Sequence, residues 1–384
     1  MRFLHTADWH VGKTLKGRDR LEEQTAVLKE IVTLAINHEV DAVLVAGDLY
    51  DTSSPTPAAQ RLVVRTLMAL ASRGIEVVAI AGNHDNPAMF EAYQPLMAQA
   101  GIHVRGQARE PHRGGVHSFT VGSTGERCQI ALLPFLSQRY AVRAAQIMTN
   151  TPAENVGHYD QLLRDLVQEL TTGFEPDAVR IVMAHLTCTG GQFGGGERQA
   201  QSIFEYHVPA SIFGTDLHYV ALGHLHRRQH IPAACPVHYS GSPIAVDFGE
   251  QDYTPGVCLV EVAPGVPAKV TDLPITSGRR LRTVTGTVAE LIADPDRYGD
   301  DLLRVVVTEP GRAGLRDEIV EALPHTLEVR IHPDHAATAA RAGVAVDRPQ
   351  RSPAELFSDY CAENGVDDPR LNALFDQLLD ETTT

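Results

Sequence analysis

The segment Gly223-His224-Leu225-His226 places two imidazoles two residues apart, directly after the apolar run 219–222. If the segment continues the strand that this run predicts, alternate side chains share a face and both histidines point the same way. Two imidazoles on one side could bind a single ligand, and histidine nitrogens are common ligands of transition metals. Because such a pair is also typical of a solvated loop, its interpretation depends on the rest of the chain.

Oxygen and nitrogen donors also follow four other short apolar runs. With the histidine pair they form the set Asp8, His10, Asp48, Asn83, His84, His185, His224 and His226. Each residue alone has an ordinary explanation, for example as a turn residue or as a histidine of the core. The recurrence of such residues after five buried strands has no ordinary explanation. Calcium prefers more oxygen ligands and structural zinc more thiolates, whereas manganese, iron or catalytic zinc suit this donor set. So many ligands predict two ions that share a bridging carboxylate.

The elements that must position these residues alternate between strands and helices. Residues 42–46 and 77–81 are predicted to be buried strands, and residues 21–38 and 57–72 show apolar residues at helical spacing. This order predicts right-handed crossovers and a mostly parallel sheet, which carries its chemistry beyond the carboxyl ends of its strands. The segments 180–187 and 218–226 are expected to continue the plan, and antiparallel strands are expected around the glycines at 114–115 and 122–125.

Composition is that of a folded chain with a large core. The 384 residues are 43% hydrophobic and 21% charged, which is ordinary for a folded protein, and the length favours two domains. A net charge of −15 argues against binding nucleic acid through bulk positive charge, so a phosphate-bearing substrate would need local cations. The start lacks an apolar leader and no segment approaches a membrane-spanning length, so we expect a cytoplasmic protein. Five scattered cysteines predict small core residues rather than disulfides or a thiolate zinc site: Cys128, Cys188, Cys235, Cys258 and Cys361.

Five motifs together resemble the motif series of the calcineurin-like metallophosphoesterases, in the same order and spacing. They are Asp8-x-His10, Gly47-Asp48-x-x-Asp51, Gly82-Asn83-His84-Asp85, His185 and Gly223-His224-x-His226, within residues 1–230. The segments LHTADWHVGK and VLVAGDLYDTSSPTPAAQ are further similar to the nuclease subunits of bacterial SbcCD-type complexes. This resemblance implies an α/β fold, with a metallophosphoesterase β-sandwich flanked by helices over 1–276. It also implies a small α+β capping, DNA-binding domain over 277–348 and a helical tail over 349–384.

The resemblance also implies roles for individual residues. One metal would be held by Asp8, His10 and His226, and the other by Asn83, His185 and His224, with Asp48 bridging the two. His84 would be the catalytic residue near the scissile phosphate. The implied cofactor is a pair of divalent ions, most simply Mn²⁺, in a hydrolase that acts on ester bonds. Its implied activities are double-strand endonuclease and 3′–5′ exonuclease cleavage of hairpins and DNA ends during repair, replication and recombination.

Partners are implied in the same way. They are double-stranded DNA, an SbcC-type SMC-like ATPase docked by the tail, and a second copy of the chain within a heterotetramer associated with the nucleoid. The segment 89–101 and the helix 57–72 are candidate surfaces for the second copy. In the accessory domain, residues 281–333 are predicted to form strand, strand, helix and strand. Tail residues 351–381 carry a leucine stripe that favours docking on the ATPase, although a helix folded back on its own core fits the same pattern.

Several residues keep two interpretations. Asp51 and Asp85 could orient amides and histidines around the metals or could cap turns. Basic residues near the first and last motifs could contact the DNA backbone or be ordinary solvated charges: Lys13, Lys16, Arg18, Arg227 and Arg228. The glycine-rich segment 187–199 could be a flap over the substrate or a plain surface loop. A phosphoesterase for small molecules or phosphoproteins and a non-enzymatic ATPase anchor are the alternative functions.

Overall fold

The computed structural model describes residues 1–122, 124–136, 159–197 and 207–335, and the single residues Phe357, Cys361, Leu371 and Phe375. Two compact units form: residues 1–307 with 314–330, and residues 308–313 with 331–384. In the second unit, the rings of Phe357 and Phe375 stack with centroids 4.2 Å apart, and Cys361 is buried. The rest of the tail prediction lies outside the described residues, and the predicted domain boundaries stay predictions.

The described residues form seventeen strands and six α-helices. The strands are β1 (Arg2–Thr6), β2 (Ala42–Val45), β3 (Glu76–Ile80), β4 (Ile102–Arg105), β5 (Val116–Thr120), β6 (Arg127–Leu133), β7 (Val179–His185), β8 (Thr187–Cys188), β9 (His207–Val208), β10 (Tyr219–Gly223), β11 (Gln229–Ile231), β12 (Val237–Tyr239), β13 (Gly256–Ala263), β14 (Val266–Pro274), β15 (Leu281–Gly286), β16 (Leu302–Val307) and β17 (Thr326–Ile331). The helices are α1 (Leu21–Asn37), α2 (Pro57–Ala71), α3 (Pro87–Ala98), α4 (Tyr159–Thr171), α5 (Val288–Ile292) and α6 (Leu315–Ala322).

Two six-stranded sheets carry most of these strands. The first has the order β14-β13-β1-β2-β3-β4, in which β1 to β4 are parallel and β13 and β14 antiparallel. The second has the order β11-β12-β10-β7-β6-β5, in which β6, β7, β10 and β12 are parallel. The expectation that β7 and β10 continue one parallel sheet is therefore wrong. The reason lies between β4 and β7, where the antiparallel pair β5–β6 begins a second sheet.

The two sheets pack face to face, with helices outside. The layer between them is filled by apolar side chains of both sheets, such as Phe3, Leu44 and Val78 against Ile130 and Ile181. Helices α1 and α2 cover the outer face of the first sheet, and α4 covers that of the second. This packing explains why the strands read as continuous apolar runs, since both faces of each central strand are buried.

Local predictions hold closely for the first unit. Helices α1 and α2 begin at the predicted residues and end one residue earlier, and the Thr56 side chain caps α2 by accepting from the Ala59 amide. In the accessory region, the prediction of strand, strand, helix and strand misses the short helix α5. A reciprocal capping box between Thr287 and Glu290 starts this helix, and the spacing of those two residues is a recognisable signal.

The cysteines lie where the composition predicts. Cys128 and Cys258 lie in the apolar layer between the sheets, and Cys188 and Cys235 lie in the cluster on the outer face of the second sheet. All five cysteines, including Cys361, are buried and free. Within the described ranges, no helix has both the length and the apolar character that crossing a membrane requires.

Candidate metal centre

The predicted ligands meet where the carboxyl ends of β1, β2 and β3 face those of β7 and β10. Backbone and side-chain hydrogen bonds join the two sheets at this edge. The His224 amide donates to the Asp8 carboxylate at 3.0 Å, and His185 Nδ1 donates to the Ala46 carbonyl at 2.8 Å. The structure thus brings together loops that are separated by more than two hundred residues in the chain.

A first group of ligand atoms comes from Asp8, His10 and His226, all of which are buried. The Nε2 atoms of the two histidines lie 3.0 Å apart. Because His226 Nδ1 faces the Glu250 carboxylate at 2.6 Å, Nδ1 keeps its proton and Nε2 is the atom that can bind a cation. Two ring nitrogens at such a short distance repel each other unless a proton or a cation lies between them. This group therefore fits a bound cation.

A second group surrounds the side-chain oxygen of Asn83. This Oδ1 atom lies 2.9 Å from His185 Nε2 and 2.8 Å from His224 Nδ1. His185 keeps its Nδ1 proton on the Ala46 carbonyl, which leaves Nε2 as the atom that can bind a metal. Amide oxygen and imidazole nitrogen are suitable ligands for the same class of divalent ion.

Asp48 lies between the two groups. Its Oδ2 atom is 3.7 Å from His10 Nε2 and 3.5 Å from His185 Nε2, so one oxygen is nearly equidistant from both. Its Oδ1 atom accepts a hydrogen bond from the His84 amide at 2.8 Å. The described residues therefore fit two divalent cations, with a carboxylate between them.

The His84 ring lies beside the first group. Its Nδ1 atom donates to the Asp51 carbonyl at 2.7 Å, and its ring meets that of His10 edge-on with centroids 4.6 Å apart. One of its ring nitrogens also lies within 4.8 Å of a ligand atom of His10 and of a carboxylate oxygen of Asp48. Geometry alone therefore permits either a ligand or a group that acts on the substrate.

Several ligands have backbone conformations that are unusual for residues other than glycine. The φ angle is 53° at Asp8, 44° at His10, 51° at Asp48 and 102° at His224. Such strain concentrates at functional sites, where the surrounding structure holds it in place. The expectation that His224 and His226 occupy alternate positions of a strand is wrong. Strand β10 ends at Gly223, and the two histidines lie on the loop that follows it.

Glycine at two motif positions allows the loops to approach each other. A Cβ atom on Gly82 would lie 2.1 Å from Asp48 Oδ1, and one on Gly223 would lie 2.0 Å from the Ala46 carbonyl oxygen. Both distances are too short for any side chain. The glycines that precede Asn83 and His224 therefore let the two sheet edges close around the ligands.

Two glutamates that sequence reasoning missed support His226. Glu250 is 3% exposed and accepts from His226 Nδ1 and from the Val246 amide at 2.7 Å. Glu197 accepts from the amides of His226, Gly194 and Gly195. No spacing in the sequence points to either residue as a partner of His226, because each lies more than twenty positions from it, although Glu197 belongs to the glycine-rich segment 187–199.

The two aspartates with open interpretations now have defined contacts. Asp85 is buried and accepts from the amides of Gly82, Leu49 and Tyr50 at 2.8–3.2 Å, so it orders the loops after β2 and β3. The Asp51 carboxylate forms an ion pair with Lys13 at 3.0 Å and lies 3.7 Å from His10 Nδ1.

Burial and neighbouring charges shift the pKa values of the aspartates and histidines at this centre in opposite directions. Burial raises the pKa of Asp8 to about 7, whereas the neighbouring histidines hold the pKa of Asp48 below its ordinary value despite its burial. Burial lowers the pKa of His185 and His226, but nearby carboxylates outweigh it and raise them to about 9 and about 10. The pKa values of His10 and His224 fall well below normal, chiefly through burial. Without metal, protons thus occupy some of the positions that cations would take.

The glycine-rich segment packs behind this centre as far as it is described. A Cβ atom on Gly196 would lie 2.3 Å from Glu250 Oε1 and 2.9 Å from His226 Nδ1, and Gly191 approaches Leu225 in the same way. Residues 187–197 therefore support the histidine loop. Residues 198–199 of the predicted flap lie outside the described residues.

Comparison with known proteins gives the family. A family model described as calcineurin-like phosphoesterase matches residues 1–228. The chain belongs to the calcineurin-like phosphoesterase family. The fold class and the class of enzyme that the motifs predict are thereby confirmed, and the chain is a phosphoesterase. A second family model, described as Type 5 capsule protein repressor C-terminal domain, matches residues 277–364.

Three curated relatives are named as the SbcD subunit of the nuclease SbcCD. The protein from Bacillus subtilis (strain 168) is 40% identical over 285 residues, which cover 73% of this chain and 71% of the relative. The protein from Rhodobacter capsulatus is 35% identical, with 77% and 76% covered, and that from Escherichia coli K12 is 30% identical, with 78% and 74% covered. These relatives bear out the resemblance to the nuclease subunits of SbcCD-type complexes.

Proposed function

We propose that this chain is a DNA nuclease subunit of an SbcCD-type complex and that it hydrolyses phosphodiesters at a centre of two divalent cations. One ion would be held by Asp8, His10 and His226, and the other by Asn83, His185 and His224. The observation that carries the proposal is the position of Asp48 Oδ2 between the two groups. A carboxylate oxygen placed in this way can bridge two ions and hold them at the separation that two-metal hydrolases use.

The protein's own residues orient this centre. When bound, the two cations supply positive charge for the phosphate oxygens and activate water at neutral pH. Ala46 and Glu250 hold the Nδ1 protons of His185 and His226, so that each ring presents Nε2 to the ions. Asp85 holds three loop amides in place and so keeps Asp48 and Asn83 in register.

His84 is proposed as the catalytic residue. Its Nδ1 proton is bound by the Asp51 carbonyl, so Nε2 is the ring nitrogen that would face a phosphodiester next to the ions. From there it can stabilise the charge that grows on the phosphoryl group or donate a proton to the leaving oxygen. Lys13, which is paired with Asp51, would lie close enough to meet a neighbouring phosphate.

The substrate and the preferred ion follow from the relatives and the donor set. The relatives named as nuclease subunits match over most of this chain, which supports nuclease activity. DNA ends and hairpins as substrates, with both endonuclease and 3′–5′ exonuclease cleavage, are what the resemblance to SbcCD-type nucleases implies. Oxygen and imidazole ligands without thiolate suit manganese, iron or catalytic zinc, and Mn²⁺ is the ion that the resemblance to SbcCD-type nucleases implies. Processing of DNA ends in repair, replication and recombination is the corresponding cellular role, in the cytoplasm at the nucleoid.

An SMC-like ATPase and a second copy of the chain are the proposed partners. The curated relatives are named as subunits of a complex, which supports a partner subunit. That this partner is an SMC-like ATPase and that the assembly is a heterotetramer are what the resemblance implies. For the second copy, the first unit presents exposed apolar side chains on two adjacent helices, namely Met68 on α2 and Tyr93 and Leu96 on α3. Exposed apolar residues grouped in this way are typical of an interface. These are the segments that the sequence favours for the dimer.

Cleavage of a DNA hairpin by the purified chain with its ATPase partner, ATP and Mn²⁺ tests the proposal. We expect Asp48→Ala to abolish cleavage and to lower the number of bound Mn²⁺ ions, because it removes the oxygen shared by both groups. Asp300→Asn, at a side chain that is 94% exposed, is the matched control and should cleave as the wild type does. Cleavage by Asp48→Ala at the control rate, or turnover only of small phosphodiesters by the wild type, would rule the proposal out.

A further inference from the structure

A second cluster of metal-ligand side chains lies far from the centre described above. It consists of Glu76 at the start of β3, His103 on β4 and His117 on β5. Glu76 begins the strand whose other end leads to Asn83, so the two places are roughly 20 Å apart along the chain direction. The cluster therefore plays no part in the proposed phosphodiester chemistry.

Its three side chains converge on one point. Glu76 Oε1 lies 2.8 Å from His117 Nε2 and 3.0 Å from His103 Nε2. Ligands around a tetrahedral Zn²⁺ ion, with bonds of about 2.0–2.1 Å, lie ~3.3 Å from one another. The observed separations are shorter, so the three side chains, and the two stacked imidazoles above all, would move apart to admit an ion. The two imidazoles stack with ring centroids 3.6 Å apart and planes inclined by 30°, and both of their Nε2 atoms point at Glu76 Oε1.

The sheets explain why these residues share a face. His103 pairs with Val78, which packs in the layer between the two sheets, and Glu76 precedes Val78 by two residues. His117 precedes Phe119 by two residues, and Phe119 packs against that same layer. All three donors therefore lie on the inner faces, at the margin of the sandwich, where β4 and β5 are the edge strands of their sheets.

We propose that Glu76, His103 and His117 bind a divalent cation such as Zn²⁺ and that this ion links the edges of the two sheets. Two imidazoles and one carboxylate form a three-ligand set that zinc accepts, with water at the fourth position. Water can reach that position because the three side chains are 24%, 33% and 14% exposed. Although burial raises the pKa of Glu76, hydrogen bonds from the two histidines lower it to about 2, so the carboxylate is ionised at neutral pH.

Zinc counting on the full-length protein tests the proposal. After dialysis against buffered Zn²⁺, we expect His117→Gln to hold one ion fewer per chain than the wild type. His112→Gln is the matched control, because His112 is 74% exposed in the preceding turn and should leave the count unchanged. His103→Gln and Glu76→Gln should also each lose one ion, and circular dichroism checks the fold of every variant. The same three variants should keep Mn²⁺-dependent cleavage.

A background variant separates this site from the catalytic one. Asp48→Ala should lose ions at the catalytic centre and still bind the zinc that His117→Gln removes. A folded His117→Gln, His103→Gln or Glu76→Gln that keeps the zinc count of His112→Gln would overturn the proposal and leave an ordinary hydrogen-bonded cluster. If His117→Gln does not fold, the other two variants decide in the same way.

Discussion

Replacing Glu250 with glutamine tests how the protein presents His226 to a cation. Two donors point at the buried Glu250 carboxylate: His226 Nδ1 at 2.6 Å and the Val246 amide at 2.7 Å. A carboxylate accepts at both oxygens, whereas an amide accepts at one end and donates at the other. In Glu250→Gln, one donor must therefore face the amide nitrogen. If that donor is Nδ1, its proton moves to Nε2, and the ring can no longer bind the ion.

The cost of either arrangement can be worked out from these contacts. A buried donor left without an acceptor costs about 1–3 kcal/mol. Since 1.36 kcal/mol corresponds to a factor of ten, the affinity for the ion at His226 should fall by roughly 5- to 150-fold. Losses of about 10- to 100-fold are typical when the outer partner of a metal-bound histidine is changed.

A Mn²⁺ titration of hairpin cleavage measures this loss directly. For Glu250→Gln we expect the half-maximal Mn²⁺ concentration to rise by about 10- to 100-fold, with much of the maximal rate recovered at saturation. Glu39→Gln, at a side chain that is 81% exposed, removes the same charge elsewhere and should titrate as the wild type does. If the Glu250→Gln titration coincides with that of Glu39→Gln, then Glu250 does not orient the ligand and the reasoning is refuted.

Three further outcomes follow from the same geometry. His84→Ala should keep both ions but cleave roughly 10²- to 10⁴-fold more slowly, and an ion missing by elemental analysis would instead make His84 a ligand. Because the pKa values of His185 and His226 are raised to about 9 and about 10, metal must displace their protons near neutral pH. Affinity should therefore increase as the pH rises towards those values, and binding heats should depend on the buffer's ionisation enthalpy; identical heats in all buffers would contradict this. Gly223→Ala places a Cβ atom 2.0 Å from the Ala46 oxygen and should lower the free energy of unfolding by about 1–3 kcal/mol, so an unchanged urea midpoint would count against the close packing.

The sequence predicts the elements of this fold better than their arrangement. Apolar runs and helical spacing locate α1, α2, β2 and β3 to within a residue, because local burial patterns reflect local structure. The same runs cannot tell which sheet a strand joins. A strand that is buried on both faces looks alike whether helices or a second sheet cover it, so the pattern wrongly predicts β7 and β10 in the sheet of β3.

For the candidate site, the sequence predicts the metal ligands but not the residues that support them. Ligands stand out in the sequence because each follows a strand and is chemically unlike its neighbours. Glu250 and Glu197 do not stand out, since they act through hydrogen bonds to His226 that only the folded loops create. Likewise, nothing in the pattern around Glu76 links it to His103 and His117, which reach it from two other strands.

The negative charge of this chain gives the proposed cations a role in substrate binding as well as in the chemical step. DNA carries one negative charge per ~1.7 Å of duplex, and this chain has a net charge of −15. Basic side chains near the centre are partly neutralised, since Lys13, Lys16 and Arg228 pair with carboxylates at 3.0, 3.5 and 3.1 Å. Two divalent ions would bring a charge of +4 to a centre whose bridging and terminal carboxylates, Asp48 and Asp8, carry −2 at most. On the proposed function, such ions would attract the DNA backbone as well as promote its hydrolysis, because three of the five basic side chains near the first and last motifs are already paired with carboxylates.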